Sequence, residues 1–212
     1  MPDDDRQVLF NRWAKRYDRD VSLGSGEFPF AGYDRVLDEV AIQSQARPAM
    51  SVLDIGTGTG NLAARFVALG CQVWGTDFSA EMLVEAQTKL PEAYFIQADL
   101  HGEWPTGLKY RYDRIVSAYV LHEFPLEEKT SLIARLAEAH LNPYGKIIIA
   151  DIAFETAANR SQAHRRWQVL WDEDEYYWCA DESLAALEGA GLAASYRQVS
   201  SCGGVFVIQA AS

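Results

Sequence analysis

One short run limits this chain more than any other: Val52-Leu53-Asp54-Ile55-Gly56-Thr57-Gly58-Thr59-Gly60. An apolar strand gives way to glycines at alternate positions, and a helical stretch follows. Glycine at such a junction lets the backbone turn tightly and approach a ligand closely. The helix that follows offers unpaired N–H groups and the positive end of its dipole. The run is also the first of a series. Strand-like segments at 51–55, 72–76, 93–97, 113–118 and 146–150 alternate with helical segments at 60–69, 80–90 and 126–140. Four of the five strands are largely apolar, as expected when both faces are covered. The alternation predicts βαβ units and a doubly wound, mainly parallel α/β sheet. Helices are expected at 3–18 and 33–45 before this series and at 155–172 and 181–190 after it. Asn142-Pro143-Tyr144-Gly145 reads as a helix stop and turn. Strands at 195–201 and 205–210, joined at Cys202-Gly203-Gly204, predict an antiparallel hairpin closing one edge.

A chain of 212 residues, 49% hydrophobic and 23% charged, supports one globular domain with a sizeable core. Its expected parts are a helical cap at 1–48, a ligand-binding core at 49–151, and substrate-side helices with the closing hairpin at 152–212. No apolar run approaches the ~20 residues of a membrane helix. Residues 1–6 lack the basic start and apolar stretch of a secretory signal. Three scattered cysteines, Cys71, Cys179 and Cys202, suit a reducing compartment. A soluble, cytoplasmic protein is expected. Neither these cysteines nor His101, His122, His140 and His164 show ligand spacing, so no metal site is expected. The net charge of −11 opposes polyanions and argues against nucleic acid and anionic membrane partners. The one basic cluster, at 160–166, is followed by the acids Asp172, Glu173, Asp174 and Glu175. Oligomeric state is not legible.

Two details narrow the ligand. Asp77 lies 21 residues after Gly56, at the end of the second strand, where a carboxylate can accept hydrogen bonds from ribose hydroxyls. Asp54 stands just before the glycines, where it would repel a pyrophosphate. The spacing is Gly-x-Gly-x-Gly rather than the dinucleotide Gly-x-Gly-x-x-Gly. A ligand with a ribose, positive charge and no phosphate satisfies both acids, and S-adenosylmethionine (SAM) is such a ligand. Asp54 thus tilts the choice toward SAM, and with the acidic balance the expected function is SAM-dependent methyl transfer to a small molecule. A non-catalytic SAM-binding regulator stays open, as does, further off, a nicotinamide-dependent oxidoreductase.

The motifs resemble those of class I SAM-dependent methyltransferases. The run 52–60 is similar to their first motif and Gly75-Thr76-Asp77-Phe78-Ser79 to their second. Gln97-Ala98-Asp99-Leu100 is similar to the third, and Asp113-Arg114-Ile115-Val116-Ser117 to the fourth strand. Leu141-Asn142-Pro143-Tyr144-Gly145 stands where the family often has Leu-Lys-Pro-Gly-Gly, and departs from it at two positions. The segments Arg12-Trp13-Ala14-Lys15-Arg16-Tyr17-Asp18 and Asp174-Glu175-Tyr176-Tyr177 resemble the poorly characterised YrrT-type methyltransferases. The resemblance implies a seven-stranded sheet of order 3-2-1-4-5-7-6 with strand 7 antiparallel and N-terminal helices. It implies binding of SAM, and of its product S-adenosylhomocysteine (SAH), by Tyr17, Asp54, Gly56, Gly58, Asp77, Phe78, Asp99, Leu100 and Ser117. Asp99 would hold the adenine amino group.

Other residues keep two readings each. Tyr17 either closes over the cofactor or packs the first helix. Asp99 is a ligand contact or a surface loop residue. His122, just past the fourth strand, is a general base or a structural or substrate-contact histidine. Trp167, Trp171, Tyr176, Tyr177 and Trp178 wall an acceptor pocket or pack a core; Trp167 and Trp171, four apart, would share a helix face.

Overall fold

A computed structural model describes residues 3–210 apart from 101, 103 and 109, so His101 lies outside the described residues. Two helices come first, α1 (Asp3–Gly24) and α2 (Tyr33–Ser44). The alternating series then runs β1 (Ser51–Ile55), α3 (Asn61–Ala68), β2 (Gln72–Asp77), α4 (Ala80–Lys89), β3 (Tyr94–Gln97), β4 (Tyr112–Ala118), α5 (Leu126–His140) and β5 (Leu141–Phe154). It closes with α6 (Ala157–Arg166), β6 (Trp178–Cys179), α7 (Ala180–Gly189), β7 (Leu192–Gln198) and β8 (Gly203–Ala210).

The sheet order is β3-β2-β1-β4-β5-β8-β7, with β6 paired to the far end of β5. Strands β1 to β5 are parallel, and β8 runs antiparallel between β5 and β7. This is the expected order once the two-residue β6 is counted. Side chains alternate across each strand, so the sheet sorts its own core. Leu53, Ile55, Ile115, Ile147 and Ile149 meet Leu132, Ile133 and Leu136 of α5 and Leu187 of α7 on one face. Val52, Val116, Ile148 and Ala150 meet Val36, Leu37 and Val40 of α2 and Leu62 and Phe66 of α3 on the other. Among the described residues no helix is long and apolar enough to cross a membrane.

Two expected elements change. The stop at 142–145 is absorbed into β5 as a bulge: the pairing shifts register between Tyr112 and Arg114, and Tyr144 takes φ 63°. The helix expected at 155–172 ends at Arg166. His164, Arg165 and Arg166 suit the negative end of a helix dipole, and the acids that follow oppose it. Trp167 and Trp171 therefore share no helix face. Both stack on Phe28 instead, at ring separations of 5.1 and 5.6 Å.

Candidate active site

The strand order reverses between β1 and β4, and in open α/β sheets ligands bind at the strand C-terminal ends beside such a point. A cavity of about 520 Å³ lies there. The glycine run forms one wall. Gly56, Gly58 and Gly60 all have positive φ, which side chains rarely adopt. A Cβ on Gly56 would lie 2.3 Å from Val120, whereas one on Gly58 would meet nothing and project into open space.

Carboxylates from three successive strand ends face this cavity: Asp54, Asp77 and Asp99. Asp77 accepts backbone N–H bonds from Gly58 and Ser79, both at 2.9 Å. Burial nonetheless pushes its pKa up to about 6. Asp54 is 1% exposed. One of its oxygens accepts from the Thr57 hydroxyl at 2.7 Å, and the other, Oδ1, has no partner. Burial is the main cause that pushes its pKa up to about 7, opposed by the Thr57 hydroxyl and the Ala63 backbone N–H and helped by a smaller push from Asp77. A buried carboxylate that lines the cavity and keeps one oxygen without a hydrogen bond would be stabilised by a cation bound there.

Helix α1 roofs the site. Gln7 donates to the Phe78 carbonyl at 2.8 Å and Ser79 donates to Asn11 at 2.7 Å. Asp18 accepts from Thr59, Asn61 and Lys89, which ties the helix to the glycine turn, α3 and α4. Phe10 meets Phe78 edge-on at 5.4 Å, and Trp13 meets Tyr17 at 4.7 Å. Tyr17 donates to Tyr33, and Tyr33 stacks on Tyr119 at 5.2 Å. All three tyrosines line the cavity.

Of the expected site residues, Tyr17, Asp54, Gly56, Gly58, Asp77, Phe78, Asp99 and Leu100 line this one cavity. Ser117 does not. It is still paired in the sheet with Ile55 and Ile149, and its hydroxyl donates to the Ile55 carbonyl at 2.8 Å. The cavity begins one residue later, at Ala118 and Tyr119. Tyr119 was not singled out from sequence. It has φ 59° and a buried hydroxyl without a partner; its place directly past the end of β4 was the available signal.

His122 also stands outside the cavity wall, although its neighbour Glu123 is part of it. His122 is 8% exposed. Its Nδ1 lies 2.6 Å from Asp151, and its backbone N–H donates to the same carboxylate at 2.8 Å. Asp151 also accepts from the Trp178 indole at 3.0 Å. Burial works against a charge on His122, but Asp151, Glu175 and Glu123 outweigh it and push the pKa up to about 9. Burial pushes Asp151 up, but His122, Lys129 and the Trp178 indole outweigh it and hold the carboxyl below the usual carboxylate range. At neutral pH such a histidine is already protonated, which is the wrong state for the general base expected from sequence.

The aromatic segment after β5 does not wall the cavity either. Trp167, Trp171 and Tyr177 pack with Phe28, Ile152 and Phe154 in a separate core cluster. The neighbouring charges largely pair off: His164 with Glu173 at 2.9 Å and Arg160 with Glu182 at 3.4 Å.

Comparison with known proteins agrees with this geometry. Residues 52–145 match the family model described as a methyltransferase domain. An uncharacterized methyltransferase of Geobacillus kaustophilus is 35% identical over 199 residues, covering 90% of each chain. Among solved structures, a DhpI–SAH complex superposes with a TM-score of 0.71 at 19% identity, covering 97% of this chain and 95% of that one. Magnesium protoporphyrin IX methyltransferase from Synechocystis with bound SAH gives 0.71 at 18% identity, over 96% and 99%. At those identities the structures establish the fold.

Proposed function

The chain belongs to the SAM-dependent methyltransferases, and from that premise we propose that it methylates a small molecule with apolar surface. The observation that carries this reading is the single cavity running from Asp54, Asp77 and Asp99 to Tyr33, Tyr119 and Phe124 under α1. Its size falls within the ~300–1,000 Å³ usual for small-molecule sites. A cavity roofed by α1 and lined by aromatic rings suits a small acceptor better than a polymer, and the net charge of −11 opposes nucleic acid and anionic membranes. Three free cysteines suit a cytoplasmic setting. The segments 12–18 and 174–177 support a YrrT-type reading within that family.

In this reading the unpartnered Asp54 Oδ1 faces the positive charge of the cofactor, and Asp77 accepts from its ribose hydroxyls. Phe78 and Leu100 flank the adenine ring, and Asp99 holds its amino group. Gly56 and Gly58 let the backbone come close, and Tyr17 closes the roof. Bound there, the cofactor supplies an electrophilic methyl group. The residues of the chain then orient the acceptor and exclude water, and positioning alone can supply much of a rate enhancement. Tyr119 gives its ring, stacked on Tyr33, to the wall that the acceptor would meet. His122 serves as a positioning group. Its carbonyl accepts from the Tyr176 N–H at 2.6 Å, so it fastens the 172–177 segment beside the cavity.

Calorimetry with SAM, SAH and NAD, joined to binding of mixed DNA and RNA at low salt, tests this reading. Binding of SAM and SAH without NAD, and no salt-sensitive nucleic acid binding, is the expected result. Micromolar, salt-sensitive binding to nucleic acid, or NAD binding in place of SAM, would overturn it.

A further inference from the structure

Sequence spacing gave no hint of a metal site, yet the fold assembles a candidate ligand set from residues some fifty positions apart. We propose that His122, Glu123 and Glu175 bind one divalent first-row transition-metal ion at the edge of the cofactor cavity. The three ligand atoms, one from each residue, lie within 4.8 Å of one another. His122 Nε2 is 3.6 Å from Glu175 Oε1 and 3.9 Å from Glu123 Oε1.

The cluster is more than a pair of acids. The His122 side chain is 10% exposed, and its Nε2 points between the two carboxylates. Both separations exceed hydrogen-bond distance, so this nitrogen meets the two carboxylates across a gap, as ion pairs rather than hydrogen bonds. Its other nitrogen is fixed by Asp151 at 2.6 Å. A carboxylate on the far nitrogen of a ligating histidine fixes its orientation and raises its basicity; the ion takes the place of the Nε2 proton, which is released to solvent, so binding strengthens as pH rises. Asp151 is fixed in turn by the Trp178 indole and the His122 backbone N–H. The nearest buried lysine is occupied elsewhere: the Lys129 ammonium donates to the Tyr176 carbonyl and lies 4.3 Å from the centre of the Trp178 ring. Three carboxylates thus gather round one imidazole.

Ligand type selects the ion. Imidazole nitrogen with two carboxylates suits manganese, iron, cobalt or zinc better than magnesium or calcium, which prefer all-oxygen sets. Bonds of roughly 2.0–2.2 Å require the carboxylates to close inward from 3.6 and 3.9 Å, with Glu175 exchanging its hydrogen bond from the Tyr177 hydroxyl for the ion. Three protein ligands leave a coordination position open. Because Glu123 also lines the cavity, that position is available to water or to an oxygen of the acceptor. The ligand set stands independently of the proposed acceptor, and its failure would leave the family and cofactor reading intact.

Cobalt(II) titration of chelator-stripped full-length protein, followed by visible absorption and equilibrium dialysis, tests the site without any activity readout. One equivalent should bind, with d–d bands and no thiolate charge-transfer band. Glu175→Gln and Glu123→Gln should each weaken binding tenfold or more. His122→Ala should abolish it, and should that variant fail to fold, the two glutamine variants still decide. His164→Ala, which removes the exposed His164–Glu173 pair, should change nothing. The proposal is overturned by no binding at millimolar cobalt, by a thiolate band that assigns the ion to a cysteine, or by binding that survives Glu175→Gln and Glu123→Gln.

Discussion

Asp54 and Asp151 are both buried, at 1% and 0% exposure, and both lie toward the C-terminal ends of parallel strands, β1 and β5, that flank β4, yet the fold treats them in opposite ways. Asp151 is fully provided for within the chain. It accepts from the His122 backbone, the His122 ring, the Trp178 indole and the Ile152 N–H, and its carboxyl is held below the usual range. Asp54 receives one hydroxyl and a weaker pull from the Ala63 N–H, keeps one oxygen without a full hydrogen bond, and is pushed up to about 7. A buried carboxylate costs free energy unless it is paired and hydrogen-bonded. The chain meets that cost at Asp151 and leaves it standing at Asp54. The first carboxylate is part of the structure; the second is completed by what binds.

The contrast breaks most visibly under mutation. Asp151→Asn should destabilise the fold by about 3–5 kcal/mol, since it strips a buried His122 and Lys129 of their counter-charge. At ~2–4 °C per kcal/mol for a domain of this size, thermal unfolding should shift down by about 10 °C. A variant melting within 2 °C of the wild type would remove Asp151 from its structural role.

Asp54→Asn should do the reverse. It removes a buried, under-satisfied charge, so the melting temperature should hold or rise. SAM affinity should fall about tenfold or more, the worth of one hydrogen bond to a charged group at ~1.5–3 kcal/mol. The sign with pH follows from the raised pKa. An unfolded Asp titrates near ~3.9, so between about pH 4 and 7 the folded state holds a proton the unfolded state lacks, and stability falls as pH rises through that window. Asp54→Asn should flatten the slope in a pH series of thermal melts. A loss of stability matching that of Asp151→Asn would erase the distinction.

Asp77 lies between the two cases and should show a mixed result. Its carboxylate holds the Gly58 and Ser79 N–H groups as well as facing the cavity. Asp77→Ala should weaken SAM about tenfold and also cost about 1–3 kcal/mol of stability for the stranded amides. The sequence alone suggested a purely functional residue. Equal stability of wild type and variant, measured by urea denaturation, would restore that simpler view.

The same contrast explains what could be read from the chain. The Asp54 side of the site is local. A strand, its glycine turn, the next helix and the acid ending the next strand follow in order, so spacing alone locates Gly56, Gly58 and Asp77. Ser117 went astray because its motif places it on β4 but not at the point where β4 leaves the ladder; the next residue begins the cavity. The Asp151 side is assembled from distant pieces. His122 and Glu175 meet only because β6 pairs with the end of β5 and draws the preceding segment over Leu121–Glu123, and a two-residue strand leaves no periodic signal. Trp167 and Trp171 had helical spacing, but Phe28, far back in the chain, settles their packing.

The central claim is that the bare oxygen of Asp54 is completed by the positive charge of the cofactor. Proton release on SAM binding tests it most directly. At pH 6.5 the amino group of the cofactor is already charged (α-amino pKa ~7.7–8.0), whereas Asp54, titrating at about 7, is mostly protonated. A cation beside it must expel that proton. Calorimetric binding enthalpies in buffers of different ionisation heat should report more than half a proton released by the wild type and close to none by Asp54→Asn. Binding with no proton release, or equal release from the variant, would contradict the account.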